Sequence, residues 1–413
     1  MNNQGPYINK YLPIVLLYFF ANSFLLPHGL LYTTLLTPIG LLWLARYPSF
    51  RHLVWFFPVA GAFAVVHYLQ GVNLKYYFTS LTLIFTVYVF IICCYQFLRN
   101  CHTLRSLYKQ VLLINFLLVI VAAATLPIPS VSEYFWYRNE LTLLYNIRRL
   151  KLLSYEASYY SLLLVPVAMY YYLKLIFLRL PDPVTTALLV SIPLLLSFSF
   201  GILLGLIIAI LLIMLLGIRR LINSRQFKYI FAVLAILVMA FAVLMLFFPD
   251  NVVGERLARV FSGEDTSFRG RTTDSYFLSW KIAEMKSIWF GAGPGQTKEL
   301  GLDLFRRFYH FPALPASEVR IPNATADTLA SYGILGLIIR FGLQGWFFFS
   351  TRVYRNYYRL GLFLFIFIYQ FTGSYLTNVA EYAIWLLAFH KGSFDEFEST
   401  VHIEGNAVER QGR

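Results

Sequence analysis

Long apolar runs, broken by short clusters of charge or by Pro and Gly, recur along almost the whole chain. Crossing a hydrocarbon layer about 30 Å thick takes about 20 helical residues, and most of these runs are that long. Lipid cannot satisfy bare backbone polar groups, so the runs predict helices. Stopping each run at charges or at Pro/Gly punctuation places spans near 9–27, 29–46, 52–71, 75–98, 106–127, 156–178, 184–199, 201–218, 228–249, 324–347, 357–372 and 374–390. The uncharged stretch 187–217 is either one long helix or a hairpin turning near Ser197, Ser199 and Gly201, and an even number of spans favours the hairpin.

The expected fold class is all-α: a polytopic membrane helix bundle with about 12 transmembrane helices and one large periplasmic loop domain. Helices 1–9 fall in 1–249, with a shorter outer loop at 128–155. The large loop occupies 250–323 and helices 10–12 occupy 324–390. The tail 391–413 is polar, carries Asp395, Glu396 and Glu398, lacks the apolar residues for a core and is expected to be cytoplasmic and disordered.

Composition agrees with a lipid environment. The 413 residues are 59% hydrophobic and 13% charged, against about 25% charged in soluble domains. The first run follows Lys10 without a small-residue cleavage site, which predicts a retained signal anchor. A net charge of +14 would point to nucleic acid in a soluble chain. Here the basic residues cap spans and fill loops without forming a basic face, so no nucleic-acid partner is expected. Cys93, Cys94 and Cys101 have neither zinc spacing nor a disulfide framework and read as apolar fillers.

Charge also sets the orientation. One set of alternate connections carries Arg46, Arg51, Arg99, Arg105, Lys109, Lys174, Arg179, Arg219, Arg220, Arg225, Lys228, Arg352, Arg355 and Arg359, fourteen in all. Among the short connections of the other set, only the one at Lys75 is basic. Lys and Arg concentrate on the cytoplasmic side, so both termini are expected there, in a bacterial inner membrane, with 128–155 and 250–323 facing the periplasm.

The large loop holds ten Lys/Arg and nine Asp/Glu in 74 positions, too much for a connector. Thr273 to Phe290 predicts a helix with two apolar stripes, Leu278, Ile282, Met285 and Trp289 on one side and Tyr276, Trp280 and Ala283 on another. It either packs on the bundle while facing lipid or only anchors the loop at the interface. Gly291-Ala-Gly293-Pro-Gly295 then ends the helix and permits close backbone approach. Before it, Phe268-Arg269-Gly270-Arg271 offers two guanidinium forks suited to phosphate, with head groups or Asp265 and Asp274 as the other partners.

Three stretches resemble the O-antigen polymerase and ligase superfamily, membrane enzymes acting on polyprenyl-diphosphate-linked sugars. Arg271, Trp280 and Phe290-Gly291-Ala-Gly293-Pro-Gly295 look like the family's arginine, tryptophan and glycine-rich block. The segment from Asn323 through Leu329 to Gly333-Ile-Leu-Gly336 resembles the block that enters the following span. Ser154-Tyr-Glu156-Ala-Ser158-Tyr-Tyr-Ser161 is similar to the Glu-Pro-Ser block of exopolysaccharide polymerases. Two positions depart from the pattern: Pro322-Asn323 stands where His-Asn is common, and Ser197-Phe-Ser199-Phe-Gly201 lacks the usual arginine.

The resemblance implies a metal-independent glycosyltransferase, without cofactor, that polymerises undecaprenyl-diphosphate-linked oligosaccharide repeat units. A ligase acting on lipid A core, a lipid-linked oligosaccharide flippase and a nonenzymatic scaffold are the alternatives. Membrane lipids and a polysaccharide chain-length regulator are implied partners. Such transfer needs positive charge for the diphosphate and a base for the attacking hydroxyl. The diphosphate candidates are Arg269 and Arg271, with Arg148 and Arg149 from the other outer connection and Arg320 in reserve. Glu156 is the preferred base, where a span meets the outer surface, unless it only pairs with Lys151 or Arg149. His310, the histidine of the loop, is second. Trp280, Gly291, Gly293, Gly295, Asn323 and Asp327 are assigned to glycan contact or loop architecture. Asp327, Gln370, Asn378 and Glu381 suggest a polar cavity at outer depth, while interhelix hydrogen bonds explain them as well. Arg340 is expected to snorkel toward the cytoplasm, and His28, His52, His67, His102 and His390 to serve interface or packing roles.

Overall fold

The computed structural model describes residues 13–27, 30–101, 104–138, 148–178, 180–218, 254, 258–260 and 262–398. The expected span 228–249, together with His28, His102 and the end of the tail, lies outside them. Among the described residues, five helices are long and apolar enough to cross a membrane: Pro48–Leu69, Leu74–Asn100, Leu104–Ala124, Ala157–Phe177 and Ala324–Ser350. Shorter apolar helices lie at Pro183–Leu196, Phe200–Leu216, Tyr357–Tyr369 and Val379–Phe389. The protein is a helical multi-pass membrane protein.

These helices run back and forth between two ends. At one end sits the polar loop 262–323. Its Phe290 carbonyl accepts from His67 near the end of Pro48–Leu69, and its Gln296 exchanges two hydrogen bonds with Asn73 at the start of Leu74–Asn100. The connection 125–156 lies at the same end, where Arg149 reaches the break between Pro183–Leu196 and Phe200–Leu216. At the other end, Arg105 pairs with Glu396 and Phe177 stacks on Tyr357. The stretch 187–217 is therefore interrupted, with Phe198 in the left-handed region (φ 49°) separating two helices.

Ala157–Phe177 is the central post. In its most apolar window 78% of residues are buried, against 17% for Pro48–Leu69. Lipid is as apolar as Leu, so such helices associate through close packing and polar contacts. Gly361 supplies the first: a side chain there would strike Met169 and Ile213. Polar pairs supply the second, including Tyr108 with Tyr358 at 2.7 Å, Tyr160 with Asn115 at 2.9 Å and Ser161 with Ser197 at 2.5 Å. Cys93 and Cys94 are buried among apolar neighbours without a disulfide.

Several expectations are corrected. The predicted span 29–46 is two short helices, Tyr32–Leu35 and Thr37–Leu44, because Pro38 fits a first helical turn but has no N–H for the turn before it. The connection 128–155 contains a two-stranded antiparallel ladder, Trp136–Arg138 with Arg148–Leu150, a small exception to an all-α fold. The loop helix stops at Glu284 rather than Phe290, because residues 288–293 are used to pair with a broken membrane helix. The tail is ordered through Glu398: Phe394 and Phe397 insert among Tyr108, Tyr170 and Tyr358, and polar composition concealed these two anchors. Arg340 does not snorkel. Its guanidinium is held inside the bundle by Glu381 and Gln370.

Candidate functional site

At the loop end, three elements meet around a narrow cleft. The start of the central helix contributes Tyr155, Glu156, Ser158 and Tyr159. The loop contributes Arg271 and Pro322, and the turn between the last two helices contributes Tyr369, Ser374, Tyr375 and Asn378. Glu156 has extended backbone (φ −145°, ψ 146°) as the residue before Ala157–Phe177, which leaves its side chain beside the first helical turn. Ser158 Oγ donates to Glu156 Oε1 at 2.5 Å.

Asn323 locks the parts together. Its Oδ1 caps Ala324–Ser350 by accepting from the Thr325 and Ala326 amides at 3.1 and 3.0 Å. Its Nδ2 donates to the Arg271 carbonyl at 2.8 Å and to the Phe371 carbonyl at 2.5 Å. One buried side chain thus fixes the loop arginine against the turn that carries Tyr375. Burial works against charge on Arg271, but Tyr369, Tyr375 and the Glu156 and Asp265 carboxyls outweigh it, and the guanidinium is held above its ordinary range. Arg320 lies at the edge, its guanidinium 5.6 Å from the Tyr375 ring centre.

The remaining sequence candidates sit elsewhere. Arg269 faces Asp274 at 3.5 Å. Arg148 donates to the Leu126 carbonyl at 2.9 Å and to Ser132 Oγ at 3.3 Å, fastening the strand ladder. Arg149 donates to the Ser197 carbonyl at 3.0 Å and to Ser199 Oγ at 3.4 Å, so it does not merely pair with Glu156. The arginine absent from the sequence at Ser197–Gly201 is thus present there in space. His310 is exposed with φ 52° and does not line the cleft. Trp280 is exposed, its indole N–H on Glu284, and Asp327 accepts from the Leu376 amide at 3.2 Å.

The glycines interlock loop and membrane helix. Gly333 (φ 66°, ψ −162°) breaks Ala324–Ser350, which frees helical donors and acceptors around it. The loop satisfies them: Ala292 and Gly293 amides donate to the Ala330 and Ser331 carbonyls, while Ile334 and Leu335 amides donate to the Ile288 and Trp289 carbonyls. Gly291, Gly293 and Gly295 all have positive φ, and a Cβ on Gly291 would lie 2.5 Å from Ser331 and Tyr332 backbone atoms. Neither Gly291 nor Gly333 tolerates a side chain, because both face backbone. Gly291→Ala and Gly333→Ala are expected to undock 288–293, read as new protease cleavage in the loop of membrane-embedded protein. Gly342→Ala, with ordinary backbone and open space, is the control that leaves the digest unchanged.

Sequence reasoning missed Tyr155, Tyr159, Tyr369 and Tyr375. Among 30 tyrosines nothing in local pattern separates these four. His67 was read as packing, yet it ties Phe290 (2.8 Å) to Tyr77 (3.2 Å) and so fastens the glycine block.

Residues 185–341 match the family model described as O-antigen ligase. This match, over 157 of the 413 residues, supports the resemblance to the O-antigen polymerase and ligase superfamily. The matched segment covers Arg271, the glycine interlock and Asn323, and begins after Glu156. No curated protein matches the chain. The match supports a membrane enzyme of the glycosyltransferase kind, working in glycan assembly.

Proposed function

We propose that the protein polymerises polyprenyl-diphosphate-linked oligosaccharide repeat units at the periplasmic face of a bacterial inner membrane, in the twelve-span arrangement with both termini cytoplasmic. One observation carries the reading: the loop arginine Arg271 and the helix-start carboxylate Glu156, far apart in sequence, line one cleft. A half-buried guanidinium recognises the diphosphate by paired hydrogen bonds. The acceptor sugar hydroxyl attacks the anomeric carbon, the bond from that carbon to the diphosphate oxygen breaks, and Glu156 takes the hydroxyl proton. Arg271 and Arg320 receive the charge that accumulates on the leaving lipid diphosphate.

Resting-state electrostatics fit this order. Glu156 and Arg271 attract each other across the cleft, and an arriving diphosphate competes for the guanidinium, leaving the carboxylate to accept a proton. Tyr155, Tyr159, Tyr369 and Tyr375 supply rings and hydroxyls for sugar. Polymerase is favoured over ligase by the carboxylate, because no histidine stands beside Asn323, where Pro322 does, and His310 is outside the cleft.

The test is surface polysaccharide on a gel, from cells lacking the native copy and carrying wild type or Glu156→Gln at matched membrane levels. Glu156→Gln is expected to lower polymer by about 100-fold, the scale of a lost general base. Collapse of the ladder to single repeats on the acceptor supports the polymerase. Accumulation of untransferred lipid-linked polymer identifies a ligase, and an unchanged ladder with Glu156→Gln removes this carboxylate from the chemistry and returns transport or scaffolding to the front.

A further inference from the structure

The loop carries a second feature that the cleft chemistry does not use. Phe277 and Phe308 stack with ring centres 5.4 Å apart, and Tyr309 meets Phe308 edge-on at 5.0 Å. Phe277 and Tyr309 remain 48% and 39% exposed. Exposed rings on the membrane helices face hydrocarbon, but these stand among full charges: the Arg269–Asp274 pair, Asp303, Arg306 and Arg307. A face built for lipid tails would not be ringed in this way. Exposed aromatic patches with polar rims mark binding sites.

The patch is joined to the cleft by the shortest possible tether. Tyr309 Oη lies 3.6 Å from where a Cβ of Gly270 would stand, and the next residue, Arg271, lines the cleft. Gly270 and Arg271 are consecutive, so the patch and the cleft border the same short stretch of backbone. Rings beside charged hydrogen-bonding groups match the two sides of a pyranose, whose C–H face is apolar and whose rim is hydroxyl. Burial and the Asp274 carboxylate push the Tyr309 phenol up to about 12, against the pull of Arg269, so it stays a hydrogen-bond donor at physiological pH.

We infer that Phe277, Phe308, Tyr309 and the Arg269–Asp274 pair form a glycan subsite that holds sugars beyond the reacting one, next to the Glu156–Arg271 cleft. This rests on the polymerase reading and adds to it a determinant of chain length. Holding the non-reacting part of the glycan keeps it near the cleft between additions, so losing the subsite shortens the product.

The experiment compares ladders from cells carrying wild type, Tyr309→Ala, Phe277→Ala with Tyr309→Ala, Tyr309→Phe and Glu156→Gln at matched membrane levels. The double variant is expected to lower modal chain length at least two-fold, with Tyr309→Phe, which keeps the ring, closer to wild type. A double-variant ladder of wild-type length overturns the subsite. If Glu156→Gln also leaves the ladder unchanged, the polymerase reading fails instead, which separates the two. In a second arm, Phe277→Cys in intact cells is treated with a charged, membrane-impermeant maleimide. Labelling places the face in water, as inferred; no labelling of folded protein places it in lipid and overturns the proposal.

Discussion

Arg271→Ala is expected to remove polymer almost completely, by about 100- to 1000-fold, the loss seen when one preorganised charge-stabilising donor is deleted. Arg271→Lys recovers only part, because an ammonium supplies charge without the planar fork that meets two phosphate oxygens together. Arg320→Ala should cost far less, since that guanidinium lies at the edge against Tyr375. Arg148→Ala should act on folding, because its donors hold the Leu126 carbonyl and Ser132. Initial rates of polymer formation in membranes supplied with lipid-linked repeat units, each normalised to folded protein, check that Arg271→Ala falls below Arg271→Lys and Arg271→Lys below wild type. Equal rates for Arg271→Ala and wild type would remove this arginine from the chemistry.

That ranking was only partly readable in the sequence. Charge alone did not separate Arg269, Arg271, Arg148 and Arg149 there; the family resemblance singled out Arg271, and Arg320 stood in reserve. Their separation depends on what folds against them: Asn323 brings the Arg271 backbone to the cleft, while Asp274 and Ser197–Ser199 draw Arg269 and Arg149 elsewhere. Spans were legible because hydrocarbon thickness imposes a length on any apolar helix. Glu156 and Asn323 were singled out through the family resemblance and, for Glu156, its place where a span begins, while the capping role of Asn323 emerges only in the fold. The break at Gly333 was not, since Gly-Ile-Leu-Gly is a permissible helical sequence. Only the approach of 288–293 makes the non-helical backbone there the satisfied one. The tail failed for a similar reason: Phe394 and Phe397 are two anchors in a polar segment, and their pocket includes Tyr108 and Tyr170, over 200 positions away.

Arg340 shows how tertiary context reverses a composition rule, and it yields the second large effect. The pair with Glu381 is enclosed, with the arginine side chain 10% exposed and the glutamate fully buried. Arg340 Nε also donates to Gln370 Oε1 at 2.9 Å, which receives Gln344 Nε2 at the same distance. Gln370 follows Tyr357–Tyr369 and Glu381 lies in the first turn of Val379–Phe389, so one guanidinium clamps both ends of the turn that bears Ser374, Tyr375 and Asn378. Removing either partner leaves the other charge buried alone, at a cost of about 3–5 kcal/mol. Arg340→Leu and Glu381→Leu are each expected to lower the melting temperature sharply in lipid nanodiscs. The double Leu variant should regain most of that loss, because an apolar pair removes both unpaired charges. Activity should not return with stability, since the turn beneath Arg271 and Glu156 has lost its clamp. A double variant that regains full polymerisation would reduce the pair to a stability element; one that stays as unstable as the single variants would show that Gln370 and Gln344, rather than the ion pair, hold the turn in place.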